Sequence, residues 1–269
     1  MRKGMVGIIS LALIGMIFGT SHAAEVLYDN FSAPEFNSSQ QWRIVEKGDV
    51  DDFSASHNDG RLRISLTSDS IDRTTVYLHL PHEIKLRKSM RAMVSLISAD
   101  SRSTISIGGE FLNVKRAPLH QYNTDGNVFV QVIIKNQNGK YWAYVSADIV
   151  DAEGEPESEL IPLEVVATDI QLGTQYPMSI SFDPSSKTIT LKFGTIERQY
   201  TFDNSFPIFL LQSCQAGGPR IDIYTETGEG TKTITAEVDD VWVSEDYDPF
   251  SLICPKPQKT GGIFLLLDE

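Results

Sequence analysis

Three side chains suited to contact with a sugar occupy even-numbered positions after residue 140: Trp142, Tyr144 and Asp148. Alternate residues of a strand point to the same face, so a strand over residues 140–150 places all three side by side. Gln131, on the preceding segment, is expected to lie across from them. Neutral sugars are usually held by aromatic faces with a few amide or carboxylate groups. These four residues are therefore our candidate glycan-binding site.

The same alternation admits a second interpretation. Tyr141 and Val145, on the opposite face, are apolar too, so the pattern does not decide which face is the core. In that case Trp142 and Tyr144 point inward and pack against the other sheet.

Other chemically active residue types give weaker signals. His79 and His82 are three residues apart, which sends their side chains to opposite faces of a strand. This spacing favours solvent-facing histidines over a shared zinc ion. The sequence contains no G-x-S-x-G motif, no phosphate-binding glycine loop and no basic run.

In the acidic segment at residues 151–159, Glu155, Glu157 and Glu159 alternate with other residues. It also contains Gly154 and Pro156, which interrupt regular structure. The segment is therefore expected to be a solvated loop rather than a strand or a catalytic carboxylate cluster.

The elements that position these residues are predicted to be strands. Residues 176–193 form two alternating segments around Asp183-Pro-Ser-Ser, and residues 127–150 do the same around Asn136-Gln-Asn-Gly. Each predicts a β-hairpin. Weaker strands are expected on either side of Gly108-Gly109, and residues 25–41 read as a largely loop-like arm. About a dozen short strands without helical spacing predict an all-β fold, a two-sheet antiparallel jelly-roll sandwich.

Length and the N-terminal residues define the expected domain organisation. A basic start at Arg2 and Lys3, an apolar run over residues 5–18 and a small-residue end at Ala23 are typical of a secretory signal peptide over residues 1–24. A retained membrane anchor, the alternative, needs about 20 apolar residues. We expect a secreted or periplasmic protein with one domain at 25–247, a tail at 248–269 and no membrane span once the signal is removed.

Cys214 and Cys254 are the two cysteines of the chain, and an oxidising compartment favours a disulfide between them. Two unpaired thiols are the alternative. In the tail, the apolar run at residues 263–267 is expected to add an edge strand, to cover an apolar patch or to contact a protein partner.

The net charge of −13 bears on the partners of the protein. An acidic chain repels phosphate backbones and anionic lipids, so nucleic acids and membrane surfaces are poor partners. A neutral ligand such as a glycan, a cation or another protein fits this charge better.

Several short motifs together give a family resemblance. Asp29 and Phe31 followed by Trp42, the hairpin at residues 176–193, and the late segment Val-Asp-Asp-Val-Trp-Val at 238–243 resemble the concanavalin A-like lectin/glucanase superfamily, which includes laminin-G-like and glucanase-like jelly rolls. The resemblance implies that the N-terminal arm packs beside the last strand. It also implies a structural calcium ion at Asp239, with Asp29 as a companion. In the alternative, Asp239 only accepts hydrogen bonds from backbone amides of the arm.

Glycan hydrolases of this superfamily resemble one another in a strand motif E-x-D-x-x-E. Glu237 and Asp239 begin such a motif here, but Trp242 stands where the second glutamate is required. The acid and base pair is therefore missing at this place.

The sequence thus predicts an exported, non-catalytic, lectin-like glycan-binding protein. A glycoside hydrolase or polysaccharide lyase with unrecognised catalytic residues is one alternative, and it requires two carboxyl groups, or a tyrosine with a histidine or arginine, in the groove. A structural or adhesive envelope protein is the other, and it requires a flat or filled sheet face.

Overall fold

The structure is a computed structural model that describes residues 25–33, 36, 42–80, 85–86, 88–115, 124–211, 218–226, 228–244 and 246–247. Three predictions lie outside these residues: the signal peptide at 1–24, the disulfide between Cys214 and Cys254, and the tail at 248–269. Within the described part of the chain, no helix is long and apolar enough to span a membrane.

The regular elements of the described residues are strands. In chain order they are β1 (Glu25–Asp29), β2 (Arg43–Lys47), β3 (Asp52–Asn58), β4 (Arg61–Ser68), β5 (Thr74–His79), β6 (Lys85–Leu86), β7 (Ser89–Ala99), β8 (Ser103–Asn113), β9 (Asn127–Gln137), β10 (Lys140–Val150), β11 (Pro156–Ala167), β12 (Tyr176–Asp183), β13 (Thr188–Phe193), β14 (Ile196–Thr201), β15 (Phe209–Leu210), β16 (Arg220–Thr225), β17 (Lys232–Ser244) and β18 (Asp246–Tyr247).

These strands form two antiparallel sheets of eight strands each, as the sequence predicts. Sheet A has the order β14-β13-β12-β7-β17-β4-β3, with β1 paired to β17. Sheet B has the order β11-β10-β9-β8-β16-β5-β2, with β15 paired to β8, and β6 and β18 form a separate pair. Strands distant in the chain are neighbours in both sheets, so the predicted jelly-roll sandwich is confirmed.

The alternation of apolar residues explains why both sheets face one core. Leu62, Ile64 and Leu66 of β4 and Ile105 and Ile107 of β8 are completely buried in the same hydrophobic cluster, which draws on both sheets. Each such side chain contributes about 1.5–3 kcal/mol relative to leaving it in water. The opposite face of each sheet is left for polar groups.

Both predicted hairpins are present. Strands β12 and β13 pair in register from Met178 opposite Phe193 to Asp183 opposite Thr188. Strands β9 and β10 pair from Gln137 opposite Lys140, and the turn between them places Asn138 and Gly139 at positive φ. Asparagine and glycine adopt that conformation most readily, so the turn residues determine where this hairpin reverses.

The N-terminal arm packs beside the last long strand, as the family resemblance implies. β1 pairs antiparallel with β17, with Asp29 opposite Val241. Trp42 follows the arm into the core, where its ring lies edge-on to Tyr28 at 5.3 Å and stacks with Phe31 at 6.3 Å. These aromatic residues fasten the arm to the sandwich.

Two local predictions are wrong, and two strands were not predicted. The acidic segment is a loop only as far as Glu155, because Pro156 begins β11, and the first residue of an edge strand is a position that tolerates proline. The weaker strands around Gly108 are one continuous strand, β8, which is paired on both sides. The sequence interpretation also overlooked β2 and β3, which are short, mostly polar strands at the edges of the two sheets.

Candidate functional site

A groove runs across the outer face of sheet B, the face turned away from the core. One end, the aromatic end, is a cavity of about 410 Å³ lined by Ile133, Trp142, Tyr144, Leu163 and Tyr224 among others. The other end, the charged end, is a cavity of about 720 Å³ that reaches from β2 to the loop after β10. Gln131 and Tyr224 line both cavities, so the two ends are continuous.

All four residues of the sequence-predicted glycan site lie in this groove. Trp142 and Tyr144 line the aromatic end, Asp148 lines the charged end, and Gln131 lies between them. The inward interpretation of Trp142 and Tyr144 is wrong, because the intervening alanine and valine residues of β10 fill the core instead.

Hydrogen bonds hold these side chains in place. Gln131 donates from Nε2 to the Ser146 hydroxyl at 2.9 Å. The Tyr144 hydroxyl donates to Oε1 of Gln137 at 2.5 Å, and its ring lies 6.1 Å from that of Trp142. Tyr144 is only 7% exposed, so it supports the wall of the groove while Trp142 offers more surface.

A row of polar residues crosses the middle of the groove. The strand registers align, from one edge inward, Arg43 of β2, His79 of β5, Arg220 of β16, Gly108 of β8, Gln131 of β9 and Ser146 of β10. Adjacent strands are about 4.8 Å apart, so this row spans the width of a short saccharide. It combines cations, an imidazole, an amide and a hydroxyl in one line.

Arg220 is the most constrained side chain in this row. Its guanidinium lies between two rings, 4.8 Å from the Tyr77 centroid and 5.0 Å from the Phe129 centroid. Its Nε donates to Oδ1 of Asp222 at 2.8 Å. Burial works to lower the pKa of Arg220, but the carboxylates of Asp222 and Glu110 raise it by more, so the guanidinium stays charged.

A glycine makes this stacking arrangement possible. The Phe129 ring reaches over Gly108, where an added Cβ would lie 3.3 Å from the ring and 3.1 Å from the Val130 carbonyl oxygen. A side chain at residue 108 would therefore press against the ring that contacts Arg220.

Tyr77 and His79 are residues of β5, and both lie beside Arg220 of the neighbouring strand β16. Their ring centroids are 5.6 Å apart. A tyrosine, a histidine and an arginine thus converge in the groove, which is one of the two arrangements that the enzymatic alternative requires. The sequence interpretation missed this cluster, although residues 220–224 of β16 alternate charged or aromatic with apolar residues and so carry a signal.

Asp148 has an unusual environment at the charged end. It lies opposite Glu159 of β11. Burial, and secondarily the nearby Glu159 carboxylate, raise the pKa of Asp148 to about 6. Its charge therefore changes within a mildly acidic range, unlike that of an ordinary surface aspartate.

The two residues predicted to bind calcium are held by protein donors. Asp29 accepts hydrogen bonds from the Phe31 backbone N–H at 2.8 Å and from Trp42 Nε1 at 3.0 Å. Asp239 accepts from the Asp240 backbone N–H at 2.8 Å and lies 3.8 Å from Nε of Arg61. An ion at either carboxylate would share its oxygens with these partners. Among the described residues, no cluster of three or more acidic, histidine or cysteine side chains is arranged to hold a metal. The calcium site stays a prediction.

Glu237, the first residue of the incomplete hydrolase motif, lies on sheet A and takes no part in the groove. It is 4% exposed, and its carboxylate accepts hydrogen bonds from Asn58, Arg61 and Arg63. These donors occupy both of its oxygens, so the side chain acts as a structural anion.

Comparison with known proteins finds similarity in fold and not in sequence. No known protein family and no curated protein matches the sequence. Similar solved structures include an alginate lyase from Zobellia galactanivorans, at 10% identity over 77% of this chain and 95% of that chain, with a TM-score of 0.43. The κ-carrageenase of Pseudoalteromonas carrageenovora is 8% identical over 87% and 100%, with a TM-score of 0.45. The carbohydrate recognition domain of Emp46p is 10% identical over 80% and 95%, with a TM-score of 0.38.

Proposed function

We propose that this protein is a lectin-like glycan-binding protein that holds its ligand along the groove of sheet B. The proposal depends on one observation. The aromatic end of the groove continues directly into the row of polar side chains. Sugars present C–H faces that pack on rings and hydroxyls that need directed partners. The proposal includes export to a secreted or periplasmic location, as the N-terminal residues predict.

Each part of the groove has a role in this proposal. Trp142 is the stacking surface, supported from behind by Tyr144, and Leu163, which is 60% exposed, extends the apolar wall. Gln131 is fixed by Ser146 and offers its amide oxygen to a sugar hydroxyl. A groove of this shape argues against a purely structural envelope protein, for which a flat or filled face was expected.

A glycan array followed by calorimetry with the positive glycans tests the proposal. We expect binding that Trp142→Ala weakens by about tenfold or more, the usual effect of losing one stacking ring. Trp242→Ala is the matched control, because Trp242 lies on sheet A against Arg91 and should leave binding unchanged. If no glycan binds, or if both variants weaken binding equally, the groove is not a glycan site.

A polysaccharide lyase is the second candidate, and the Tyr77, His79 and Arg220 cluster favours it. In a β-elimination, a base removes the proton next to a sugar carboxylate, a carbon–carbon double bond forms, and the glycosidic oxygen leaves with a proton from an acid. Tyr77 and His79 are candidates for the acid and base, and Arg220 for neutralising the carboxylate. The ultraviolet absorbance of the unsaturated product measures this activity, and Tyr77→Phe and His79→Ala should abolish it. Binding without any product supports the non-catalytic lectin.

A protein partner that binds the apolar run at residues 263–267 remains a separate proposal. Deleting residues 263–267 should abolish such an assembly without unfolding the domain. Size-exclusion chromatography and a melting curve of the same sample measure both properties.

A further inference from the structure

The cations of the charged end, Arg43, Lys47, Arg73 and Arg220, are gathered on one side of it, around β2, β5 and β16. We infer that the glycan carries oxyanions, carboxylate or sulfate groups, and that Arg220 and Arg43 hold one of them. This inference rests on the proposed function, because it names the chemical class of ligand for the same groove.

Arg220 is prepared to bind an anion before any ligand arrives. The two flanking rings and Asp222 fix its position, and its side chain is only 14% exposed. Nε is used by Asp222, but the two terminal amino groups donate no hydrogen bond to any described residue. A guanidinium fork binds carboxylate or sulfate oxygens through parallel N–H donors. Because the side chain is already immobilised, little rotamer entropy is lost when it binds.

Three further cations lie around Arg220. Arg43 stands in the same row, two strands away from Arg220, while Lys47 and Arg73 lie against the rings of Tyr77 and Tyr224 at 5.4 and 4.0 Å. None of these three cations forms an ion pair with a described residue. In a chain with 36 acidic and 23 basic residues, unpaired cations concentrated on one face indicate an external anion.

Two carboxylates oppose these four cations from nearby. Asp222 is paired with Arg220, and Glu110 accepts a hydrogen bond from Asn127 at 2.6 Å. Four cations against two carboxylates leave an excess of positive charge where β16, β5 and β2 lie side by side. An oxyanion at this place is attracted by the excess charge and contacts the terminal amino groups of Arg220.

The acidic residues on the opposite side of the charged end determine how the ligand is oriented in the groove. Asp148, Glu153 and Glu155 lie on β10 and in the loop after it, and they line the same cavity. They repel a second negative charge placed near them. The oxyanion therefore lies over β16 and β5, and the hydroxyl groups of the ligand lie toward β10.

Matched pairs of polymers test the inference on the full mature chain. We use polygalacturonate, alginate and hyaluronan, each against its carboxyl-reduced form, and dextran sulfate against dextran. Calorimetry at low and high salt measures each affinity. We expect at least one anionic polymer to bind about tenfold or more tightly than its neutral partner, with a difference that shrinks as salt screens the charges. Comparing the three carboxylate polymers with dextran sulfate shows which oxyanion the site binds.

Variants of Arg220 and Arg43 test whether these two side chains cause the preference for anionic polymers. Arg220→Lys keeps the charge but loses the fork, and should weaken binding of the anionic polymer about tenfold, more than it weakens binding of the neutral polymer. Arg43→Gln should also weaken it, and it alters an exposed residue, so it remains informative if Arg220→Lys fails to fold. Arg198→Gln on β14 is the control, because Arg198 pairs with Glu164 at the edge of the sandwich.

Three results would contradict one or both proposals. Equal binding of charged and neutral polymers, unchanged by the Arg43 and Arg220 variants, overturns the oxyanion inference and leaves the glycan-binding proposal standing. The oxyanion inference alone is also overturned if Arg198→Gln weakens binding as much as the groove variants. Absence of binding to every polymer and every arrayed glycan overturns both.

Discussion

The indole N–H of Trp42 donates a hydrogen bond to Asp29 across 3.0 Å inside the core. The other oxygen of Asp29 accepts the backbone N–H of Phe31, a residue at a φ of 50°. Asp29→Ala leaves both donors unpaired and should lower the free energy of unfolding by about 2–4 kcal/mol in urea titrations. Asn30→Ala removes a similar side-chain bond to Ser32 in solvent and should cost much less. Equal losses would show that the arm is not fastened by Asp29.

The Glu237 carboxylate on sheet A should stabilise the fold in a pH-dependent way. Burial works to raise its pKa, but hydrogen bonds from Arg63, Asn58 and Arg61 more than offset this and lower it. A lowered folded-state pKa gives stability that is present above the unfolded value and is lost as the pH falls through the folded value. Glu237→Gln should therefore destabilise by roughly 1–3 kcal/mol at pH 7 and by less in acid, measured by urea unfolding. A loss independent of pH would contradict this account.

Asp148 should show the opposite pH dependence. Its pKa is raised to about 6, so its stabilising contribution is complete below the unfolded value near 4 and is lost as the pH rises through about 6. Asp148→Asn should stabilise the protein by roughly 1–2 kcal/mol at pH 8, after allowance for solvent screening, and should have little effect at pH 4. Glu229→Gln, which removes the same charge from an exposed loop, is the control. Identical effects of the two variants at pH 8 would show that only net charge matters.

Gly109 and Gly108 are adjacent in β8 but should differ in their tolerance of a side chain. A Cβ at Gly109 would lie 2.7 Å from the Gly218 carbonyl oxygen, whereas at Gly108 the nearest atom is 3.1 Å away. Gly109→Ala must displace the backbone just before Arg220, so it should destabilise by about 2 kcal/mol or more and weaken glycan binding. Gly108→Ala should cost less. Thermal melting and calorimetry compare the two, and a reversed order would be inconsistent with the packing.

Calcium should raise the unfolding temperature if the family resemblance extends to an ion at Asp239. A ligand that binds only the folded protein stabilises it by mass action. Melting in calcium and in chelator measures this shift, and Asp239→Asn should remove it. Equal melting temperatures in the two conditions would show that Asp239 serves only its observed donors.

The strands with strict apolar alternation are the ones that sequence predicts well. The β12–β13 and β9–β10 hairpins follow from inward-facing residues and turn residues that are local in the chain. The pairing of the arm with β17 joins distant segments and was expected from the family resemblance alone. The groove residues Gln131, Trp142, Tyr144 and Asp148 were predictable for the same reason.

The charged part of the groove was not predictable in this way. β2 is an edge strand with only partly buried apolar residues, so alternation gives little sign of it, and it brings Arg43 and Lys47 to the groove. Arg220 is placed beside His79 and Gly108 by pairings between distant strands. Net charge also averages over these positions, so it gives no sign of the cations gathered in the groove.

The row from Arg43 to Ser146 draws on strands from near the beginning, the middle and near the end of the domain. A chain cut short before β16 lacks both Arg220 and the strand that joins β5 to β8. A partly folded or truncated chain therefore cannot assemble the row, and the proposed ligand binding would report completed folding.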